Sequence, residues 1–122
     1  MEENEQIIRK FIEAWSRLDP EELASYFAED GVYHNMPAGP VSGRENVEKF
    51  IHGFSASWTE TTWDLLNIAS SGSVVFAERL DRTPAGDKSV DLPCTGIFEL
   101  EAGKIKVWRD YFDIATYQNG LA

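Results

Sequence analysis

The stretch most informative about the fold is residues 74–82, VVFAERLDR, in which an apolar run is followed at once by charged residues. Valine and phenylalanine are enriched in strands, so the stretch favours a β-strand. Side chains alternate between the two faces of a strand, so Arg79 and Asp81 share a face with Val75, and Leu80 lies on the other. Whichever face is buried, the strand directs charge toward the core, where a charge needs a partner.

Three further stretches around this one have the same strand character. The four predicted strands are residues 61–68, 74–82, 90–101 and 104–112. The turns between them are Ser-Ser-Gly at 70–72, Pro-Ala-Gly-Asp at 84–87 and Glu-Ala-Gly-Lys at 101–104. Connections this short join antiparallel neighbours, so the C-terminal half is predicted to be an antiparallel meander.

The N-terminal half has helical patterns instead. Apolar side chains recur at helical spacing in residues 5–18, which predicts an amphipathic helix with one buried face. Asp19 and Pro20 are typical of a helix N-cap and first turn. They predict a short second helix that extends through Phe27 and ends at Gly31.

A short strand and a third helix complete this half. Residues 32–36 favour a strand, and the proline-rich loop at 37–40 ends it because proline cannot donate to a ladder. A third helix is predicted from Ser42 or Gly43 to about Trp58. Helices followed by a meander indicate an α+β fold in which a curved sheet wraps around the N-terminal helices. Residues 1–122 are predicted to form one domain.

Charge and composition exclude several functions. The net charge is -10, and the 11 Lys and Arg residues are scattered among 21 acids, which argues against nucleic-acid and anionic-membrane binding. The lone cysteine, Cys94, excludes an internal disulfide and a cysteine zinc cluster, and it fits a reducing compartment. The N-terminus resembles no signal peptide, and no stretch approaches the ~18 apolar residues of a transmembrane helix. A cytoplasmic protein is expected.

The last predicted strand contains an unusual carboxylate. By strand alternation, Asp110 shares a face with Trp108 and Phe112, two large rings that flank it. An unpaired carboxylate there is costly, so its pKa should rise or a cation should lie beside it. Arg79 is the natural candidate for that cation.

Together with this pair, other polar residues suggest acid and base chemistry. Tyr33 and Asn35 share a face of the early strand, where a phenol and an amide can hold a water. If Arg79 lies between Asp81 and Asp110, the carboxylates can share one proton and act as an acid and a base. The alternative is a surface ion pair on one strand, worth ~0–1 kcal/mol, and spacing alone does not decide between them.

Four motifs occur in an informative order: YHNMP at 33–37, ERLD at 78–81, TGIF at 95–98 and GKIKVWRDYFD at 103–113. Over nearly its whole length the chain resembles the limonene-1,2-epoxide hydrolase family. The resemblance implies a cone-shaped α+β fold with a curved mixed sheet, the NTF2-like fold shared by nuclear transport factor 2 and the ketosteroid isomerases. It also implies a homodimer that needs no metal and no organic cofactor.

The same resemblance implies roles for individual residues. Arg79, Asp81 and Asp110 match the Asp-Arg-Asp centre of the family, and Tyr33 and Asn35 match its water-holding pair. Asp81 is then the acid that protonates the epoxide oxygen, and Arg79 orients both carboxylates. Asp110 is the base that takes a proton from the attacking water. The implied substrates are a small apolar epoxide and water, and the product is a vicinal diol.

The substrate pocket is predicted to be apolar. The predicted wall residues are Met36, Leu80, Leu92, Trp108 and Phe112, with Trp58 as a further candidate. Around Cys94 and Thr95 the lining is smaller and more polar than a monoterpene pocket should be. A substrate other than limonene epoxide is therefore expected.

Two other functions fit the same fold. An isomerase or polyketide cyclase could use Asp81 or Asp110 as a base beside an enolate, but it would need neutral donors where Arg79 lies. A non-catalytic small-molecule-binding dimerisation module is the second alternative, although such a module has no use for two buried carboxylates. His34 and His52 are expected to be solvated or hydrogen-bonded, and no spacing of His, Asp and Glu predicts a metal site.

Overall fold

The computed structural model describes residues 2–122 of the chain. Its helices are α1 (Glu2–Ala14), α2 (Pro20–Ala24), α3 (Arg44–Ser55) and α4 (Ile114–Gly120), and a 3-10 turn, Trp15–Arg17, follows α1. Its strands are β1 (Phe27–Asn35), β2 (Pro40–Ser42), β3 (Thr62–Ser71), β4 (Val74–Ala85), β5 (Lys88–Glu101) and β6 (Lys104–Tyr111). Within the described residues, every helix is too short or too polar to cross a membrane.

The six strands form one curved, unclosed sheet in the order β2-β1-β6-β5-β4-β3. Strands β3 to β6 form the predicted antiparallel meander. Strand β1 lies parallel to β6, and β2 lies antiparallel to β1. The predicted α+β fold, with a curved mixed sheet and N-terminal helices, is therefore confirmed.

Helix α1 supplies the centre of the hydrophobic core. Phe11 of α1 and Trp15 of the 3-10 turn that follows it are fully buried. The Phe11 ring contacts Phe98 of β5 and Trp108 of β6 edge-on, with ring centroids 6.0 and 5.1 Å apart. Contacts of this kind contribute about 0.5–1.5 kcal/mol each beyond simple burial. The predicted amphipathic helix is confirmed, although it begins earlier in the chain than predicted and ends at Ala14, where the 3-10 turn replaces its predicted last turn.

The second helix is shorter than predicted. Asp19 caps its first turn by accepting hydrogen bonds from two backbone amides, but the helix ends at Ala24. Phe27 instead begins β1 and pairs with Ile105 of β6, so the prediction of a helix through Phe27 is wrong. Gly31 lies inside β1, where a Cβ would be 2.8 Å from the carbonyl oxygen of Ile105. This glycine permits close approach of the two strands and does not end a helix.

The segment after β1 also differs from the prediction. Pro40 lies in β2 and not in a loop, which is tolerated because β2 is the edge of the sheet. Helix α3 begins at Arg44, after Gly43, whose φ of 94° suits glycine. It ends at Ser55, before the predicted end at Trp58. Trp58 therefore lies in the connection between α3 and β3.

Helix α4 was not predicted from the sequence. Asp113 caps it by accepting hydrogen bonds from the Thr116 amide and hydroxyl at 3.1 and 2.7 Å. The helix packs so closely on β5 that a Cβ on Gly120 would lie 2.6 Å from Cβ of Val90. Tyr117 packs against the apolar cluster that Val90 forms with Leu92 and Cys94 on β5. The C-terminal helix thereby covers one end of the inner face of the sheet.

Candidate active site

Three charged residues meet on the inner face of the sheet although their strands are not neighbours. Arg79 and Asp81 lie on β4 and Asp110 lies on β6, with β5 between the two strands. Gly96 of β5 pairs with Asp110, and its missing side chain leaves room for Arg79 to cross the strand. Arg79 and Asp81 are buried while Glu78 is exposed, as strand alternation predicts.

One guanidinium group holds both carboxylates. Arg79 Nε and Nη2 donate to Oδ1 and Oδ2 of Asp81 at 3.0 and 2.8 Å. Its Nη1 and Nη2 donate to Oδ1 and Oδ2 of Asp110 at 2.8 and 2.9 Å. Its Cζ lies 4.3 Å from the ring centroid of Trp63, a cation–π contact that fixes the plane of the guanidinium. Only a planar fork of donors can bind two carboxylates bidentately in this way.

Burial determines the electrostatics of this cluster. Arg79 is 0% exposed, Asp110 is 3% exposed and Asp81 is 6% exposed. Burial raises the pKa of the Asp110 carboxyl above its ordinary value, and the nearby Arg79 offsets this only in part. Burial also acts to lower the pKa of Arg79, but the charges of Asp110 and Asp81 outweigh it, so that pKa lies well above its ordinary value. One proton shared by the carboxylates would make the buried cluster neutral.

Tyr33 and Asn35 lie beside this cluster because β1 runs parallel to β6. In that register, Tyr33 pairs with Trp108 and Asn35 pairs with Asp110. The Tyr33 ring stacks on the Trp108 ring at a centroid distance of 4.2 Å. Burial, and then the charge of Asp110, raise the pKa of Tyr33 well above its ordinary value, so the phenol is a neutral donor. Asn35 Oδ1 is buried without a hydrogen-bond partner among the described residues.

A cavity of about 210 Å³ opens onto Asp81, Asp110, Tyr33 and Asn35. The rest of its wall is mainly aromatic and aliphatic. The main wall residues are Phe50, Phe54, Trp58, Trp63, Leu92 and Phe112. Of the predicted pocket residues, Leu92 and Phe112 lie on this wall, and so does the further candidate Trp58. The site therefore combines a polar floor with apolar walls, which is typical of small-molecule sites.

Three predicted pocket residues lie elsewhere, and these assignments are corrected. Leu80 lies on the other face of β4, beside a separate depression, because alternation points it away from Asp81. Trp108 is fully buried under the Tyr33 ring and forms the base of the site, not its wall. Met36 is not part of the wall, and its backbone amide donates to the backbone oxygen of Asp110 at 2.9 Å.

Sequence analysis did not assign some residues that line the cavity. Phe50 and Phe54 are four positions apart on α3, a spacing that indicates a shared face but not which space it borders. Tyr117 comes from the helix that was not predicted. Cys94, in contrast, was expected near the pocket lining; it does line the cavity, and it donates its S–H to Oδ2 of Asp81 at 3.4 Å. Burial strongly raises the pKa of this thiol, so it stays protonated.

The family described as the limonene-1,2-epoxide hydrolase catalytic domain matches residues 2–122. The chain belongs to this family. One relative, the epoxide hydrolase EphG of Mycobacterium tuberculosis, is 26% identical over 120 residues, which cover 93% of this chain and 76% of EphG.

Solved structures agree with membership of the limonene-1,2-epoxide hydrolase family. A limonene-epoxide-hydrolase-like epoxide hydrolase of M. tuberculosis superposes with a TM-score of 0.85 and 25% identity, covering 99% of this chain and 90% of that one. An NTF2-like protein of unknown function from Burkholderia pseudomallei gives a TM-score of 0.88 at 22% identity, with 100% and 99% covered. The second likeness shows the fold alone, and it confirms the predicted NTF2-like fold.

Proposed function

We propose that this protein is an epoxide hydrolase that adds one water to an epoxide in a single step and releases a vicinal diol. The observation that carries this proposal is the buried Asp81-Arg79-Asp110 cluster at the floor of an apolar cavity. When two carboxyl groups bind one cation, one can carry a proton while the other is ionised. The protonated group can then serve as an acid and the ionised group as a base. The apolar wall suits a small epoxide.

In the proposed reaction, Tyr33, Asn35 and Asp110 bind the attacking water. When the shared proton lies on Asp81, Asp110 is ionised, and its raised pKa makes it the stronger base toward the water. The water oxygen then attacks one ring carbon while Asp110 removes a proton from the water. The carbon–oxygen bond breaks, and Asp81 gives its proton to the leaving oxygen. Net transfer of one proton from Asp110 to Asp81 then restores the starting state. Both carboxylates accept from Nη2 of Arg79, and the cluster keeps the same total charge throughout.

An isomerase or polyketide cyclase on the same fold is the first alternative. Such an enzyme must stabilise an enolate oxygen with hydrogen-bond donors that do not already bind another acceptor. Here Arg79 binds both carboxylates bidentately, an arrangement that favours exchange of a proton between them. A non-catalytic binding module is the second alternative, but it would retain two costly buried carboxylates without using them.

The test is diol formation from a panel of terminal and cyclic epoxides, measured by gas chromatography. Asp81→Asn and Asp110→Asn should each lower the rate by about 10²- to 10⁴-fold, since each removes an acid or base group. The double variant should be little worse, because residues that act as a unit are not additive. Glu78→Gln is the matched control, because Glu78 lies on the same strand but is exposed on its other face.

Either single variant with more than a tenth of wild-type activity would contradict the assignment of these carboxylates. No diol from any epoxide, with the fold intact by circular dichroism, would contradict the proposed reaction itself. A conjugated enone formed from a β,γ-unsaturated ketosteroid, or a cyclised product formed from a polyketide analogue, would favour the isomerase or cyclase instead.

Homodimerisation and a cytoplasmic location remain proposals that rest on the family resemblance and on composition. Large apolar side chains are exposed on strands of the sheet: Leu66 is 56% exposed, Phe76 is 41% exposed and Tyr111 is 42% exposed. Burial of such residues against a second copy would remove apolar surface from water. Sedimentation velocity of wild type and Phe76→Glu tests this, with a monomeric wild type as the contrary outcome.

A further inference from the structure

A second polar group lies in the cavity apart from the charged cluster. Trp58 and Tyr117 both line the cavity, and Trp58 Nε1 donates to the Tyr117 hydroxyl oxygen at 3.1 Å. The Trp58 ring also packs edge-on against Phe54, with centroids 5.4 Å apart. Trp58 is thereby held by packing and in turn holds the Tyr117 oxygen in place. The phenol is positioned by the protein before any ligand binds.

The Tyr117 hydroxyl has an unused donor. Its oxygen accepts from Trp58, while its own hydrogen has no acceptor among the described residues. Trp58, whose ring packs edge-on against the Tyr117 ring with centroids 6.5 Å apart, offers only an N–H donor, and Phe112, which packs on the same apolar cluster, has no polar side-chain atom. A half-buried O–H that lacks an acceptor gains from a ligand that supplies one.

This hydroxyl is electrostatically separate from the acid and base groups. The charges of Asp110, Arg79 and Asp81 all act on the pKa of Tyr33. The pKa of Tyr117 is raised by burial, and the Trp58 hydrogen bond is the other influence on it. The Tyr117 hydroxyl is therefore a polar group of the cavity lining that is distinct from the charged cluster, and apolar side chains form most of the rest of the lining.

The ligand acceptor should be uncharged. The residues that line the cavity include Asp81 and Asp110 but no lysine, and Arg79 is fully committed to those two carboxylates. An anionic ligand would enter a cavity in which none of the described lining residues is a cation, in a chain of net charge -10. A carbonyl, ether or ester oxygen avoids that cost and still accepts a hydrogen bond.

We infer that the substrate is an uncharged epoxide with an oxygen acceptor remote from the ring, and that Tyr117 recognises this acceptor by donating its hydroxyl hydrogen. The inference rests on the proposed function, because it assumes that the epoxide ring lies at the charged floor. It makes Tyr117 a specificity-determining residue. Trp58 is then a positioning residue that acts through Tyr117.

Matched pairs of substrates test this inference. Each pair is a terminal epoxide bearing a methyl ketone and the alkyl epoxide of the same length, with an increasing number of methylene groups along the series. Tyr117→Phe should lower kcat/KM for the best ketone substrate by about three- to tenfold, the worth of one hydrogen bond. The matched alkyl epoxide should change by less than about twofold. Tyr26→Phe, a half-buried tyrosine outside the cavity, is the control and should change neither.

Binding of unreactive analogues separates this inference from the proposed reaction. In these analogues a cyclopropane replaces the epoxide ring of each ketone in the series, and the Kd of each is measured by calorimetry with no turnover. Wild type should bind the best of these ketones about three- to tenfold more tightly than Tyr117→Phe does, with no such difference for the alkyl cyclopropane. Trp58→Phe keeps a ring but loses the N–H. It should weaken binding of the cyclopropyl ketone but not of the alkyl cyclopropane, and by less than Tyr117→Phe does.

Two outcomes would overturn the inference even if diol formation were established. In one, Tyr117→Phe affects the ketone and alkyl members of each pair equally. In the other, it affects neither. If no epoxide is hydrolysed but the cyclopropyl ketone still shows the Tyr117 dependence, the reaction fails while the recognition of the acceptor stands.

Discussion

A Cβ atom on Gly96 would lie 3.0 Å from Nη1 of Arg79, so the bare backbone at position 96 creates the space that the guanidinium occupies. Gly96 lies on β5, between the strand that carries Arg79 and the strand that carries Asp110. Any side chain here would stand between the cation and one of its two carboxylates.

Gly96→Ala should therefore lower activity through Arg79. The added methyl would also lie 2.9 Å from Nε1 of Trp108, so neither neighbour leaves it room. A displaced guanidinium should reduce kcat by at least about tenfold, because small misplacements of catalytic groups are costly. Gly53→Ala on α3 is the control, since nothing lies within 4 Å of its Cβ. Unchanged kcat in Gly96→Ala would show that the cluster tolerates the shift.

Arg79→Lys should be nearly as inactive as Arg79→Ala. Lysine keeps the charge but cannot hydrogen-bond two carboxylates through a planar fork. We expect a loss of about a hundredfold or more in kcat/KM, measured on the best epoxide of the panel. A lysine variant close to wild type would mean that Arg79 acts only as a counter-charge.

The raised pKa of Asp110 predicts how stability depends on pH. An Asp in an unfolded chain has a pKa of about 3.9, and burial raises that of Asp110 in the folded protein. The folded state therefore binds this proton more tightly than the unfolded chain does. The resulting contribution to the free energy of unfolding is complete below the pKa of this residue in the unfolded chain, and it is lost as pH rises through its pKa in the folded protein. The free energy of unfolding of wild type minus that of Asp110→Asn should fall from about pH 4 toward neutral pH.

Urea denaturation at a series of pH values measures this difference. Asp113→Asn is a control of opposite sign, because hydrogen bonds from the side chain and amide of Thr116 lower the pKa of Asp113. For that residue the difference should grow as pH rises through the carboxyl range. A flat difference for Asp110→Asn would mean that Arg79 cancels the cost of burying the carboxylate.

Cys94 should resist alkylation although it lines the cavity. It is 4% exposed, and burial, followed by the charge of Asp81, raises its pKa. Alkylating agents and epoxides react with the thiolate, which is scarce at such a site. Mass spectrometry after treatment with N-ethylmaleimide should show no adduct in the native protein and a complete adduct in urea. An adduct formed in the native protein would show that the site opens.

The strand face on which the charged residues lie could be predicted from the sequence, because the alternation of side chains along a strand depends only on local sequence. It placed Arg79 and Asp81 on one face of β4, and that face is buried. Their approach to Asp110 depends on register across β5, which no local pattern reports. The position of Asn35 beside Asp110 depends on the parallel pairing of β1 and β6, which are far apart in the sequence.

The errors have similar physical causes. Leu80 is an apolar residue that was expected on the pocket wall, but it faces away from Asp81 because neighbours on a strand face opposite ways. Helix α4 is short, and its packing relies mainly on Tyr117 and on Leu121 directly after it, so its pattern is too brief to identify before the surface of β5 is known. The apolar spacing around Phe27 fits both a helix and a strand, and the pairing of Phe27 with Ile105 makes this segment a strand.

The nucleophile that attacks the epoxide is predicted to be a water and not a carboxylate. An aspartate could attack the epoxide itself and form an ester that water later hydrolyses. In this site Arg79 holds all four carboxylate oxygens of Asp81 and Asp110, so neither group is free to turn toward a ring carbon. Tyr33 and Asn35 offer a phenol and an unpartnered amide oxygen beside Asp110, which suit a bound water. We therefore expect direct attack by water, with inversion at the attacked carbon.

A single turnover in water enriched in oxygen-18, with enzyme in excess, distinguishes the two routes. Direct attack places the heavy oxygen in the first diol and leaves the protein unlabelled, because no carboxylate oxygen is transferred. A covalent ester would instead give an unlabelled first diol, since the new oxygen comes from the carboxylate, and hydrolysis would then place oxygen-18 in the peptide of Asp81 or Asp110. The peptides are separated after digestion, and their masses are compared with those of Asp110→Asn treated in the same way. Label in either wild-type peptide would overturn the assignment of water as nucleophile, even with epoxide hydrolysis established.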